Sequence, residues 1–248
     1  MKISVITVVY NNEATISDAV LSVLSQRNID LEYIIVDGGS SDNTLELIKQ
    51  HIGRIDHLIS EADNGLYDAM NKGIAAASGD IIGILNSDDV YSDPFVIRDV
   101  LKQFEERHDL DIVYGNLVYV KSNNLNTIVR KWKSKPYYKS FFENGNVAPH
   151  PTVFLRNKVY KRVGSFDLEY TLAADYEFLL RIFKTHGFTS LYLDRLMVRM
   201  RLGGATNKNL MNIFIANKEV LKAWKKHGLK APMLLMPLRI IKRLMQYV

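Results

Sequence analysis

The chain has 248 residues, 47% of them hydrophobic, no cysteine and a formal net charge of +5. This suits one large domain, or one domain with appendages, around an ample core, and it excludes disulfides and thiolate metal sites. The pI of about 9.2 suits anionic partners such as nucleotides, acidic lipids or nucleic acid, without choosing among them.

Ile3–Tyr10 reads as a first strand, ended by Asn11-Asn12. Ile16, Ala19, Val20, Val23 and Leu24 follow at helical spacing. Tyr33–Val36 is a second buried strand, closed by Asp37-Gly38-Gly39-Ser40-Ser41-Asp42, and Leu45, Ile48 and Ile52 mark the next helix. His57–Ser60 is a short third strand, and Glu61–Gly65 is a polar loop. Tyr67, Met70, Ile74 and Ala77 predict a helix. Gly79–Leu85 then forms an apolar run that ends in Asn86-Ser87-Asp88-Asp89. Strands alternating with helices, the strands nearly all apolar, predict an α/β fold with a mainly parallel sheet covered on both faces. All four strand ends carry polar or acidic residues, on the sheet edge where such folds bind ligands. The adjacent carboxylates Asp88 and Asp89 suit a divalent cation and a diphosphate. Their alternative is a turn in which one of them caps a helix.

Beyond Asp89 the pattern loosens. Val96, Val100 and Phe104 suggest a helix. Ile112–Tyr114 and Leu117–Val120 read as two strands, with Thr127–Trp132 as a hairpin partner. Residues 134–149, with Pro136, aromatics and Gly145, have no period and are expected to be a mobile loop over the site. Pro151–Leu155 should return to the sheet. A helix carrying Asp175, Phe178, Leu179 and Ile182 stops at Gly187, and 190–201 is expected to be extended up to Gly203-Gly204. Ile213, Ala216, Val220 and Trp224 predict a helix ending near Gly228. After Pro237, Leu238, Ile241, Leu244, Met245 and Val248 share one face, and Arg239, Lys242, Arg243 and Gln246 the other. This basic amphipathic helix suits an anionic membrane surface; the alternative is a helix docked by its apolar stripe. The chain shows no signal peptide, and no apolar stretch nears the roughly 20 residues of a spanning helix. It is expected in the cytoplasm, peripheral at the inner face of the cell membrane.

The motifs Tyr10-Asn11-Asn12, Val36–Thr44, Asp63–Gly73, Asn86–Asp89 and Ala173–Glu177 stand in an order that resembles the family 2 glycosyltransferases of GT-A fold. The branch that builds bacterial O-antigen, capsule and exopolysaccharide is the most similar. The resemblance covers roughly residues 1–205. It implies a GT-A, Rossmann-like mixed sheet flanked by helices over 1–205, with 1–90 binding nucleotide sugar and 91–205 binding acceptor. Residues 206–248 would be a C-terminal helical extension. It implies inverting transfer from a nucleotide diphosphate sugar to a saccharide acceptor, lipid-diphosphate-linked in that branch, with Mn²⁺ or Mg²⁺ as cofactor and no nucleic acid.

Carried over residue by residue, Asp175 matches the family base and Asp88 and Asp89 the metal and donor motif, with Asn86 where many relatives have Asp. Val8, Tyr10, Asp37, Asp63 and Asp68 fall at nucleotide-sugar positions. Gly38 stands where many relatives have a second acidic residue. His150 and Arg201 are candidate acceptor or phosphate contacts. Several have a structural alternative: an N-cap for Asp175, a core residue for Tyr10, an ion pair with Lys72 for Asp68. The other histidines show no zinc-ligand spacing. Two rival readings are a nucleotidylyltransferase-like enzyme and a non-catalytic nucleotide- or membrane-binding module. The first is disfavoured because Val8–Asn12 is no Gly-rich basic phosphate loop.

Overall fold

The computed structural model describes residues 1–203 and 210–247. Gly204, Val248 and the 205/206 boundary expected above lie outside the described residues.

The first half runs β1 (Lys2–Val9), α1 (Ile16–Leu24), β2 (Asp30–Asp37), α2 (Thr44–Lys49), β3 (His57–Ser60), α3 (Leu66–Ala76) and β4 (Ile81–Asn86). All four strands pair in parallel, in the order β3-β2-β1-β4. Alternation along each strand sends side chains to two cores. Ile6, Val8, Ile34 and Val36 meet Tyr67, Met70 and Ile74 of α3 on one face. Ile3, Val5, Tyr33 and Ile35 meet Ile16, Val20 and Val23 of α1 on the other. The register Val9↔Asp37↔Ser60 and Val8↔Asn86 brings the four carboxyl ends to one edge.

The second half runs β5 (Val90–Tyr91), α4 (Val96–Glu106), β6 (Ile112–Lys121), β7 (Asn124–Trp132), β8 (Phe154–Arg156), α5 (Asn157–Val163), α6 (Ala174–Leu180), β9 (Ser190–Arg201), α7 (Leu210–Lys226) and α8 (Leu235–Leu244). β8 continues the sheet antiparallel to β4, followed by β6, β9 and β5, with β7 on β6. Among the described residues this is one nine-stranded mixed sheet whose longer pairings are parallel.

Three expectations change. Ile112–Tyr114 and Leu117–Val120 form one strand, β6; the break in pattern at Gly115 is a register shift against β9. A Cβ at Gly115 would collide with Met197, so glycine lets β9 approach there. Pro151 and Thr152 lie in a 3-10 turn, and the sheet resumes at Phe154, consistent with a proline that cannot donate to a ladder. Residues 134–149 are anchored, because Phe141 and Phe142 are buried in the core. Helix α5 had no counterpart in the sequence reading.

The C-terminal helices pack on the sheet domain. Trp224 of α7 is buried and its Nε1 donates to Tyr176 Oη at 2.9 Å. Helix α8 is turned opposite to the docked alternative. Leu235 and the half-buried Arg239, Lys242 and Arg243 face the protein, while Leu234, Ile240, Ile241, Leu244 and Met245 are exposed. Its last residues lie along β7: Lys131 N donates to Gln246 O at 2.8 Å. No helix among the described residues is long and apolar enough to cross a membrane.

Candidate active site

The loops leaving β1, β2 and β4 are tied into one rim. Asn11, in a left-handed conformation (φ 45°), accepts from Ser41 N at 2.8 Å, and its own N–H donates to Ser40 Oγ at 2.8 Å. Asn12 Nδ2 donates to Ser87 Oγ at 2.9 Å, and Thr15 Oγ1 to Ser87 O at 3.0 Å. Tyr10 projects from this rim 63% exposed, its ring available for stacking rather than used in the core. Val8 is buried between β2 and β4 and stands behind the rim.

Asp37 is fully buried at the end of β2. Its carboxylate accepts from Gly39 N, from Ser40 N and, at 2.8 Å, from Ser60 Oγ. It therefore shapes its own turn and joins it to β3. The Asp63 carboxylate lies against Gly38, where a Cβ would collide with it, and accepts from Gly65 N at 2.8 Å. Asp63 thus fills the space that a side chain at position 38 would claim. Asp68 accepts from Asn64 N at 2.9 Å and stands 3.8 Å from Lys72, which holds the loop onto α3. That geometry matches the ion-pair alternative for Asp68.

The centre of the rim is the Asn86–Asp89 turn. Asp89 is fully buried and Asp88 largely so. Burial raises the Asp88 carboxyl above its ordinary range. Burial, and then the charge of Asp88, push Asp89 well above its own. Asn86 Nδ2 reaches Asp89 Oδ2 at 3.3 Å. Asp89 Oδ1 and Asn86 Oδ1 are buried without a hydrogen-bond partner among the described residues. Two crowded carboxylates with open oxygens fit a hard divalent cation, which would relieve both desolvation and repulsion. Among the described residues no group of three or more His, Asp or Glu could hold a metal. Such a pair suits a cation whose other ligands are water and phosphate. Arg201 braces this turn from β9: it donates to Asp88 O at 2.8 Å and Ser122 O at 3.1 Å, and it pairs with Asp18. Its guanidinium is thus engaged with protein acceptors. Arg199 donates to Leu125 O at 3.2 Å.

Asp175 lies in the first turn of α6, whose N-cap residue is Ala173, so Asp175 does not serve as the cap. Tyr67 Oη of α3 donates to Asp175 Oδ1 at 3.1 Å. Burial and the Asp175 charge raise the Tyr67 hydroxyl well above its ordinary range, so it remains a donor. His150 packs edge-on to Phe166 at 5.4 Å, and Phe166 also contacts Tyr67 at 5.6 Å. Burial lowers the His150 imidazole, against the opposing charge of Asp175. His150 is thus connected through the Phe166 ring to Tyr67, the hydrogen-bond partner of Asp175.

Helix α6 is held from outside by Glu219 of α7. Its carboxylate accepts from Thr171 N (2.9 Å), Thr171 Oγ1 (2.8 Å), Leu172 N (2.9 Å) and Ala173 N (2.8 Å). In the sequence Tyr67 shows only the helical spacing of a core residue, and Glu219 stands outside the motifs. An acidic residue beside the apolar Val220 and Trp224 stripe was the one sequence sign of a buried carboxylate on α7.

Residues 4–164 match the family model described as Glycosyl transferase family 2. An uncharacterized glycosyltransferase of Mycobacterium tuberculosis is 32% identical over 181 residues, covering 72% of this chain and 68% of that protein. A PGL/p-HBAD biosynthesis glycosyltransferase of Mycobacterium bovis is 27% identical over 223 residues, covering 88% and 82%. Among solved structures, glucosyl-3-phosphoglycerate synthase from Mycobacterium tuberculosis in complex with Mn²⁺, UDP and phosphoglyceric acid superposes with a TM-score of 0.66. It is 16% identical and covers 92% of this chain and 79% of that one.

Proposed function

The chain belongs to glycosyl transferase family 2, and from that premise we propose that it transfers a sugar from a nucleotide diphosphate sugar to an acceptor hydroxyl with inversion. The observation that carries this reading is the pairing of a buried, crowded carboxylate turn at Asp88 and Asp89 with a separate, hydrogen-bonded carboxylate at Asp175. Inverting transfer needs these two parts: a seat for the departing diphosphate and a base on the opposite face.

Asp175 takes the proton of the acceptor hydroxyl while the acceptor oxygen bonds to the anomeric carbon. The bond from that carbon to the diphosphate breaks, and its electron pair leaves with the nucleotide. Tyr67 orients the carboxylate. Asp88 and Asp89 would hold Mg²⁺ or Mn²⁺, which supplies positive charge for the diphosphate. Tyr10 stacks on the nucleobase, with Asp37 and Asp63 at the nucleoside end. Arg201 acts through the Asp88 turn, and His150 lies beside the acceptor.

The acceptor we assign is a saccharide on a lipid diphosphate, in assembly of a bacterial surface polysaccharide (O-antigen, capsule or exopolysaccharide). The motif order shared with that branch supports this. The exposed face of α8, where Met245 is 79% exposed, suits peripheral contact with the cytoplasmic side of a membrane. Asp175→Asn tests the base: transfer should fall by about 10²–10⁴-fold with calorimetric donor binding retained, and near-normal turnover would remove the assignment. Ile241→Glu with Leu244→Glu should release the chain from anionic liposomes; equal pelleting would remove the membrane contact.

A further inference from the structure

Helix α3 sends two side chains across to the half of the molecule that carries Asp175. Tyr67 is one, through its hydroxyl. Asn71 is the other, and residues four apart share a helix face. Asn71 Nδ2 donates to Phe166 O at 2.8 Å, and Asn71 Oδ1 accepts from Phe166 N at 2.9 Å. One amide side chain thus serves both backbone groups of a residue 95 positions away, as a neighbouring strand would. Phe166 is only 3% exposed, and buried backbone groups are costly to leave unpaired.

The Phe166 ring is the common neighbour of three groups around the base. Its centre lies 5.6 Å from that of Tyr67, 5.4 Å from His150 and 5.1 Å from Phe178. Tyr67 donates to Asp175. Phe178 follows Asp175 by three residues on α6, on the same helix face. Other ties hold the ends of this segment. Arg181 donates to Ser165 O at 2.7 Å, and Glu219 accepts from Thr171, Leu172 and Ala173. The Asn71 pair falls on Phe166 itself, and so sets how closely its ring meets Tyr67.

We propose that Asn71 is a positioning residue of the transfer reaction. By holding the Phe166 backbone it seats the Phe166 ring against Tyr67, and Tyr67 in turn aims the Asp175 carboxylate. This rests on the glycosyltransferase reading and adds a residue that acts on the base only through others. A displaced Phe166 ring would let the Tyr67 hydroxyl drift from the carboxylate. Misplacement of a reacting group by about 1 Å can cost about a hundredfold in rate.

The test is turnover of the full chain with Mn²⁺ and water as acceptor. It is read as UDP released from UDP-glucose or UDP-N-acetylglucosamine, or GDP released from GDP-mannose. Nucleotide affinity is measured beside it by calorimetry, and each variant is assayed well below its Tm. Asn71→Asp keeps the acceptor for Phe166 N but turns a carboxylate oxygen toward Phe166 O. It should lower kcat by about ten- to a hundredfold with nucleotide affinity unchanged. Phe166→Leu keeps the backbone pairing and removes the ring. It should have the same effect, and it carries the test of this route if Asn71→Asp fails to fold. Each change is then combined with Tyr67→Phe, where it should cost less than it does in the parent chain. Losses that multiply to within about twofold would show independent action and overturn the proposal. Parent-like kcat in either variant, or loss of nucleotide affinity, would overturn it as well. Absence of turnover by the parent chain with all of these donors would count against the glycosyltransferase reading itself. That is a different result from a parent that turns over and a variant that matches it.

Discussion

The Tyr67 hydroxyl donates to the Asp175 carboxylate at 3.1 Å, joining residues 108 positions apart. This bond links the helix after the Asp63 loop to the helix that carries the proposed base. A hydrogen bond to a charged group contributes about 1.5–3 kcal/mol. If it is needed to aim the carboxylate, Tyr67→Phe should lower kcat by about ten- to a hundredfold, with little change in donor affinity. Steady-state kinetics beside nucleotide titration checks this. An unchanged kcat would make the bond structural only.

The Asp89 carboxyl is raised by burial and by Asp88, and this has a thermodynamic sign. A carboxyl raised on folding binds its proton more tightly in the native state. Its contribution is therefore best at low pH and is lost as pH rises from about 4 through the raised value. Metal-free protein should gain stability when the charge is removed. Asp89→Asn is expected to raise Tm at neutral pH in EDTA by about 2–8 °C and to lose the further rise that Mn²⁺ with nucleotide gives the parent chain. A lower Tm in EDTA would contradict the strained carboxylate pair.

Much of this arrangement was legible in the chain. Runs such as Ile3–Val9 and Ile81–Leu85 can be little but buried strands, and once they alternate with helices their ends must share an edge. The Asp88–Asp89 turn and Asp175 were legible through motif order. Partnerships across the fold were not. Tyr67 keeps helical core spacing whether or not its hydroxyl meets a carboxylate. The facing of α8 was legible as amphipathic but not as inverted, because periodicity separates two faces without saying which one meets the protein.

Glu32 gives a pH-linked prediction away from the site. Burial would raise its carboxyl, but bonds from Lys2 at 2.7 Å, from the Ser4 hydroxyl and from Ser78 N at 2.8 Å outweigh it and hold it at about 2. A depressed carboxyl stabilises the fold above its unfolded value, near 4.5, and loses that contribution as pH falls toward 2. The shift corresponds to about 3 kcal/mol at neutral pH. Glu32→Gln should lose most of this at pH 7 and little at pH 2.5. Urea unfolding at the two pH values measures it, and an equal loss at both would show that packing, not charge, holds the site.

Glu219 should control the base from outside the site. Its carboxylate accepts the N–H groups of Thr171, Leu172 and Ala173, the segment that leads into α6. These are charge-assisted bonds at a helix start, where unpaired donors accumulate. Glu219→Ala would leave them without an acceptor and cost about 2–4 kcal/mol. Glu219→Gln keeps the shape but turns an amide donor toward backbone donors, so it should fall between the two. Asp175 lies only two residues beyond Ala173, so a loosened segment should misplace the carboxylate. Transfer assayed well below the Tm of each variant should therefore show kcat falling in the order parent, Gln, Ala, with donor affinity held. A fall in Tm with kcat intact in both variants would confine α7 to a structural role and leave Tyr67 as the principal restraint on the base.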